Sequence, residues 1–180
     1  MKKAVFLDRD NTLIADTTGY FHDAGNVAIL PGVLEGLKNL RDAGFSLFVV
    51  TNQSGIGRGY FPESDTIAVH QKIVDILGKE GVTIEKIYYC PHAPEENCAC
   101  RKPKPLLILK AAEEYGVDLA KSFFIGDHMK DMEAGRSAGT ATVLAGSPEN
   151  ISSLAIDILA RDVADAAQKI ISYEKFHRAI

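Results

Sequence analysis

The chain has 180 residues, 46% of them apolar and 24% charged, with a formal net charge of −4; that is enough for one domain with a real core, expected to span 1–180, and short for two. The acidic balance argues against a nucleic-acid partner, since the densest basic spots, Lys2-Lys3 and Arg101-Lys102-Pro103-Lys104, are both short. No apolar run approaches the roughly 20 residues that cross a bilayer, and the run after Lys3 is too short for a signal-peptide core. A cytoplasmic monomer without a membrane or nucleic-acid partner is therefore expected.

Two patterns alternate along the chain. Short apolar runs of β type fall at Ala4–Leu7, Leu47–Val50, Ile87–Tyr89, Phe123–Ile125 and Ala141–Leu144, with a weaker one near Asp157–Leu159. Between them lie helical patterns at Val33–Ala43, Ser64–Lys79, Leu106–Tyr115, Lys130–Ala138 and Val163–Ile171. Ser64 is a candidate cap for the second helix, or Pro62 a residue of its first turn. Strands alternating with helices of this length predict βαβ units: an α/β fold, a three-layer Rossmann-like parallel sheet with helices on both faces. Such sheets bind ligands beyond the carboxyl ends of their strands. The segments at those ends are Asp8-Arg9-Asp10-Asn11-Thr12, Thr51-Asn52-Gln53-Ser54, the loop from Cys90 to Lys104, and Gly126-Asp127-His128. Polar, charged and glycine residues concentrate there, as in a site assembled from loops.

If the sheet brings the first and fourth strands together, Asp8, Asp10, Asp127 and Asp131 converge. Taken singly, an Asp after a strand is as readily a helix cap or turn residue. Together, carboxylates this close would repel and take up protons, and a bound hard cation removes the conflict. Oxygen ligands with a phosphate co-ligand suit Mg²⁺.

The three cysteines, Cys90, Cys98 and Cys100, lie within eleven residues and include His92 among them. An odd, clustered count argues against a disulfide framework and for metal. Three thiolates and one imidazole make a closed tetrahedral Zn²⁺ site, hence a structural one, able to fix a polar loop that has no core of its own. Buried cysteines beside a surface histidine are the plainer alternative. Since Arg101-Lys102 follow at once, such a zinc would hold a cationic pair over the site.

Asp8-Arg9-Asp10-Asn11-Thr12 resembles the DxDxT motif of the haloacid dehalogenase superfamily, and Thr51, Lys102 and Asp127/Asp131 fall where its further motifs fall. The resemblance implies a phosphatase with Asp8 as nucleophile, Asp10 as general acid and base, and Thr51 and Lys102 stabilising the transferred phosphoryl group. It also implies Mg²⁺ held by Asp8, the Asp10 carbonyl and Asp127, with Asp131 orienting Lys102 or a metal-bound water.

Within the superfamily, the zinc loop followed by Arg-Lys-Pro resembles the family of D-glycero-D-manno-heptose 1,7-bisphosphate 7-phosphatases of lipopolysaccharide or S-layer heptose synthesis. It also resembles the histidinol-phosphate phosphatases. Thr51 to Phe61, Gly19-Tyr20 and Tyr88 to His92 look closer to the heptose enzymes, while the gap between His92 and Cys98 looks closer to the histidinol enzymes. The heptose resemblance is favoured, with the histidinol one as the alternative, so the expected substrate is a small phosphorylated sugar carrying two phosphates. Arg101 and Arg58 are expected at its distal phosphate, with Asn52, Gln53 and Ser54 at hydroxyls. Asp16, Gly19 and Tyr20 would cover the site from the other side, and His128 stands where the heptose enzymes often carry lysine. Asn11 replaces a usual glycine, at a position where Asn tolerates left-handed backbone. No stretch is long enough for a large cap domain. A phosphotransferase or nucleotidase on the same scaffold, a phosphate-sensing binding module and a metal-binding regulator are the competing classes.

Overall fold

The structure, a computed structural model, describes residues 1–146 and 156–177. Among the described residues, six parallel strands form one sheet: β1 (Ala4–Leu7), β2 (Ser46–Asn52), β3 (Lys86–Cys90), β4 (Phe123–Gly126), β5 (Ala141–Ala145) and β6 (Ile158–Ala160). Their order is β3-β2-β1-β4-β5-β6. Strands buried on both faces read as unbroken apolar runs, and Ala4, Val5, Phe6 and Leu7 are each wholly buried.

Alternation along the strands divides the core in two. Val5, Leu7, Leu47, Val49 and Ile125 face α1 (Val33–Asp42), α3 (Glu63–Lys79) and α6 (Val163–His177) through residues such as Leu37, Ile73 and Ile170. Ala4, Phe6, Phe48, Val50 and Phe124 face α4 (Leu106–Tyr115) and α5 (Met129–Ala138) through Ile108 and Met132. On this second face Phe6 stacks on Phe48 and Phe124, with ring centroids 5.4 and 6.4 Å apart.

The expected three-layer fold is the one observed. Ser64 does not cap α3, and Pro62 stands just before its first turn rather than in it: the helix begins at Glu63 after an extended Pro62, whose carbonyl accepts from the Asp65 amide at 3.1 Å, and the Ser64 hydroxyl donates to Asp65. A helical turn, α2 (Ser54–Gly57), follows β2 without any signal from periodicity. It has four residues, two of them glycine, too few to show a 3.6-residue repeat. The segment between β1 and α1 contains one 3-10 turn, Ala24–Asn26, and no cap domain stands among the described residues.

The sheet order reverses direction between β1 and β4, which pair in parallel with Leu7 beside Ile125. This is the topological switch point at which such sheets open a crevice. Asp8 leaves one side of it and Asp127 the other, tied by the Asp8 amide donating to the Ile125 carbonyl at 3.0 Å.

Candidate active site

A cavity of about 340 Å³ opens above the switch point. Asp8, Asp10, Thr51, Asn52 and Asp127 line it from strand ends, and Asp16, Gly19, Tyr20, Arg101, His128 and Lys130 from the surrounding loops and α5.

Lys102 lies beneath it, 2% exposed. Its ammonium contacts Asp8 Oδ1 at 2.8 Å and Asp131 Oδ1 at 2.7 Å and donates to the Val50 carbonyl at 2.7 Å. Burial alone would drive the proton off Lys102, but the two carboxylates hold it on, and its pKa lies above the ordinary lysine value. Burial likewise works against ionised Asp8; the charge and hydrogen bond of Lys102 outweigh it, leaving Asp8 more acidic than usual. Asp8 Oδ1 also accepts from the Arg9 amide at 2.7 Å. Among the described residues, no side chain bonds Oδ2.

Asp131 sits in the first turn of α5 with both oxygens engaged. Oδ1 meets Lys102, and Oδ2 accepts from the His128 amide at 3.1 Å, half of a capping box. Gly126 makes room for it: a Cβ there would stand 2.5 Å from the Asp131 Cβ. Asp127 is pushed up to about 6, chiefly by burial and then by the Asp8 charge.

Asp10 is held differently. Arg9, wholly buried, donates Nε to Asp10 Oδ1 at 2.9 Å and Nη2 to Oδ2 at 3.1 Å. Arg9 Nη2 also donates to the Phe21 carbonyl, and Nη1 lies 3.3 Å from His70 Nε2. Burial, then the Arg9 charge, holds His70 down to about 3, so its ring is neutral and accepts from Arg9. Burial and the nearby Asp8 raise the pKa of Asp10, with Arg9 opposing.

The expected substrate-side residues divide. Asn52, Ser54, Arg101, His128, Asp16, Gly19 and Tyr20 line the cavity. Asp16 turns Oδ1 back to the amides of Thr18 and Gly19, at 2.7 and 2.9 Å, and thereby shapes its own loop. Gln53 is 4% exposed and donates to Asp10 Oδ2 and the Thr51 hydroxyl, both at 2.9 Å, rather than lining the cavity. Arg58 is not brought there either: its guanidinium contacts Glu95 at 3.2 Å. Asn11 has φ 58, and its side chain accepts from the Asp16 amide. Arg9, His70 and Lys130 were not singled out from sequence. An Arg between two motif carboxylates was the one available signal; the partners of His70 and Lys130 are set by tertiary placement.

Two groups have the donor chemistry of metal sites. One ligand atom each from Asp8, Asp127 and Asp131 lies within 4.8 Å of the others. The raised pKa of Asp127 comes chiefly from burial and then from the Asp8 charge, and a divalent ion would oppose both. In the loop after β3, Cys90 Sγ lies 3.4 Å from Cys98 Sγ and 3.2 Å from Cys100 Sγ, and His92 Nδ1 lies 3.3 Å from Cys100 Sγ. The two sulfur–sulfur separations are about 0.4–0.6 Å shorter than the edge, about 3.8 Å, of a tetrahedron with zinc–sulfur arms of about 2.3 Å, so the ligand atoms are gathered around one point. The loop is fastened to β2 and α2. The Asn52 amide group pairs with the backbone of Lys102 through both its atoms, at 3.0 and 3.1 Å. The Gly57 amide donates to the Pro91 carbonyl at 2.8 Å.

The model of the haloacid dehalogenase-like hydrolase family matches residues 16–139. The chain is 43% identical over 157 residues to the D-glycero-beta-D-manno-heptose-1,7-bisphosphate 7-phosphatase of Pasteurella multocida, covering 82% of this chain and 85% of that one. It is 47% identical over 137 residues to the enzyme of the same name from Helicobacter pylori, covering 76% and 79%. Among solved structures, the D,D-heptose 1,7-bisphosphate phosphatase from B. bronchiseptica, complexed with magnesium and phosphate, superimposes with a TM-score of 0.86. It is 30% identical, with 95% of this chain and 99% of that one covered.

Proposed function

On the premise that this chain belongs to the haloacid dehalogenase-like hydrolase family, we propose that it is a phosphomonoester hydrolase that removes the 7-phosphate of D-glycero-D-manno-heptose 1,7-bisphosphate. The observation that carries the chemistry is the Asp8–Lys102–Asp131 arrangement under the cavity, which keeps Asp8 ionised and one of its oxygens unbonded. The substrate follows from the relatives.

In this reading Asp8 Oδ2 attacks phosphorus, the bond from phosphorus to the heptose oxygen breaks, and an aspartyl-phosphate forms. Asp10 gives its proton to the departing alkoxide, then takes one from the water that hydrolyses the intermediate. Its raised pKa suits the first step, and Arg9 and Gln53 hold the carboxylate ready for the second. Lys102 and the Thr51 hydroxyl stabilise the phosphoryl oxygens. Asp8, Asp127 and the Asp10 carbonyl would hold Mg²⁺, with Asp131 orienting Lys102. When bound, the ion offsets the phosphate charge. Cys90, His92, Cys98 and Cys100 would hold a structural Zn²⁺ that keeps Arg101 and Lys102 in register. The chain is read as a single-domain cytoplasmic monomer; fractionation and light scattering test that.

The test is kcat/KM for heptose 1,7-bisphosphate against histidinol phosphate, with Asp10→Asn as the mechanistic control. The bisphosphate is expected to be preferred, and the variant to lose at least about 100-fold in turnover while keeping its fold. Preference for histidinol phosphate would refute the substrate, and an active Asp10→Asn enzyme would refute the mechanism. Zinc content near one per chain is expected; a much lower content in carefully handled protein would refute the zinc reading.

A further inference from the structure

A sugar bisphosphate brings two anionic groups, and the site has a buried cation for only one. Lys102 is pinned between Asp8 and Asp131, so its charge serves the reacting position. Two other cations reach the cavity wall, Arg101 and Lys130. Arg101 arrives from the β3 side of β1 and Lys130 from the β4 side, so the two flank the nucleophile.

Lys130 is half-buried, and among the described residues no carboxylate lies within ion-pair distance of its ammonium. It stands in the first turn of α5, a ten-residue helix. The helix dipole is positive there and disfavours a cation. An anion held over that turn would reverse the sign of the interaction. His128, the nearer residue to Asp127, is occupied otherwise: its Nδ1 accepts from the Lys130 amide at 3.3 Å and caps α5. The field of Lys130 also adds to the acidity of Asp8 and Asp127, behind larger contributions. That gives Lys130 a rival role, support of the catalytic carboxylates, which a second phosphate would not enter.

We infer that Lys130, together with Arg101, holds the non-reacting phosphate of the substrate and so selects bisphosphates over monophosphates. This rests on the function proposed above. The structural basis is a pair of cavity-lining cations on either side of Asp8, one of them without a carboxylate partner and set against its own helix dipole. Charge-assisted contacts of this kind discriminate strongly between a substrate that completes them and one that does not.

The experiment compares heptose 1,7-bisphosphate with heptose 7-phosphate, which differs only by the second phosphate, on the wild type, Lys130→Met, Lys130→Arg and His128→Ala. Melting temperatures with and without Mg²⁺ check that each variant folds and binds the ion. The expected result is a wild-type preference for the bisphosphate. Lys130→Met should cut that preference about tenfold through KM, and Lys130→Arg should keep most of it. His128→Ala is expected to lower the melting temperature and leave the preference intact. The inference is overturned if Lys130→Met lowers both substrates equally, if it leaves the ratio unchanged, or if His128→Ala is the variant that erases it. A wild-type enzyme that turns over neither heptose phosphate would instead refute the proposed function.

Discussion

Arg9 is wholly buried, and each of its three guanidinium nitrogens has a partner: Asp10 twice, the Phe21 carbonyl and the His70 ring. The planar fork is what fits the carboxylate, so a lysine would keep the charge and lose the register. Arg9→Lys is expected to lower kcat about tenfold or more with a moderate loss of melting temperature. Arg9→Met, which leaves Asp10 without its cation, should cost about 3–5 kcal/mol in denaturant unfolding. Wild-type turnover in Arg9→Lys would remove Arg9 from the positioning of Asp10. Asp127 sets a pH dependence. Its folded pKa is raised to about 6 by burial and by Asp8, against about 3.9 unfolded. A raised carboxylate pKa favours the folded state at low pH, and that contribution is lost as pH rises through about 6, where the buried group ionises. Mg²⁺ binds the ionised form, so it must displace a proton below about 6. The rise in melting temperature on adding Mg²⁺ should therefore be larger at about pH 7.5 than at about pH 5.5. Equal rises at both would show that Asp127 does not couple to the ion.

Between elements, the coupling to test is that of the cysteine–histidine loop to the strand ends. At Gly57 a Cβ would stand 2.6 Å from the Ala93 amide nitrogen and 2.8 Å from the Pro91 carbonyl, both backbone. Gly57→Ala should push the loop off α2, lowering kcat/KM and the resistance of bound zinc to chelators. Gly36→Ala is the contrast: its Cβ would stand 2.5 Å from the Val163 carbonyl, where α1 packs on α6 and neither residue lines the cavity. It should destabilise by about 1–3 kcal/mol and leave kcat/KM intact below the melting range. Activity lost equally in both would mean that Gly57 acts through global stability alone. Elements of this kind were legible to different degrees. β1 and α4 have the bounds their apolar patterns predict, because strands buried on both faces and helices with one apolar stripe leave strong periodic signals. The strand-end positions of Asp8, Thr51 and Asp127 were legible for the same reason, whereas Lys102, in the loop after β3, was legible only through its motif. The turn α2 was not, and with it the inward rotation of Gln53 onto Asp10, since four residues carry no period. Nor was the turn of Arg58 toward Glu95, because both lie in loops whose approach depends on the whole fold.

Across the whole molecule, two buried layers of side chains fix the sheet, and the sheet fixes the reacting groups. The loop after β3 is the exception: Cys90, Cys98 and Cys100 touch the second apolar layer, but Pro94 to Asn97 between them are exposed. Removing zinc with a chelator should therefore lower both melting temperature and kcat while the far-UV circular dichroism of the sheet and helices persists. Loss of all secondary structure at the same chelator concentration would show that the loop is integral to the core instead. The carboxylates of Asp8 and Asp127 sit directly at strand ends and the Lys102 ammonium is held against the Val50 carbonyl of β2, whereas Asp16, Gly19, Tyr20, Arg101 and Lys130 reach the cavity from loops and a helix start. Reaction and recognition thus differ in how their side chains are held, even where they are neighbours in the chain, as Arg101 is of Lys102 and Lys130 of Asp131. A mutant library confined to those five positions can be screened for new phosphate esters with Asp8, Asp10 and Lys102 left unmutated. Retargeted variants should arise that keep the parent's melting temperature, the behaviour of a chassis whose fittings can be exchanged.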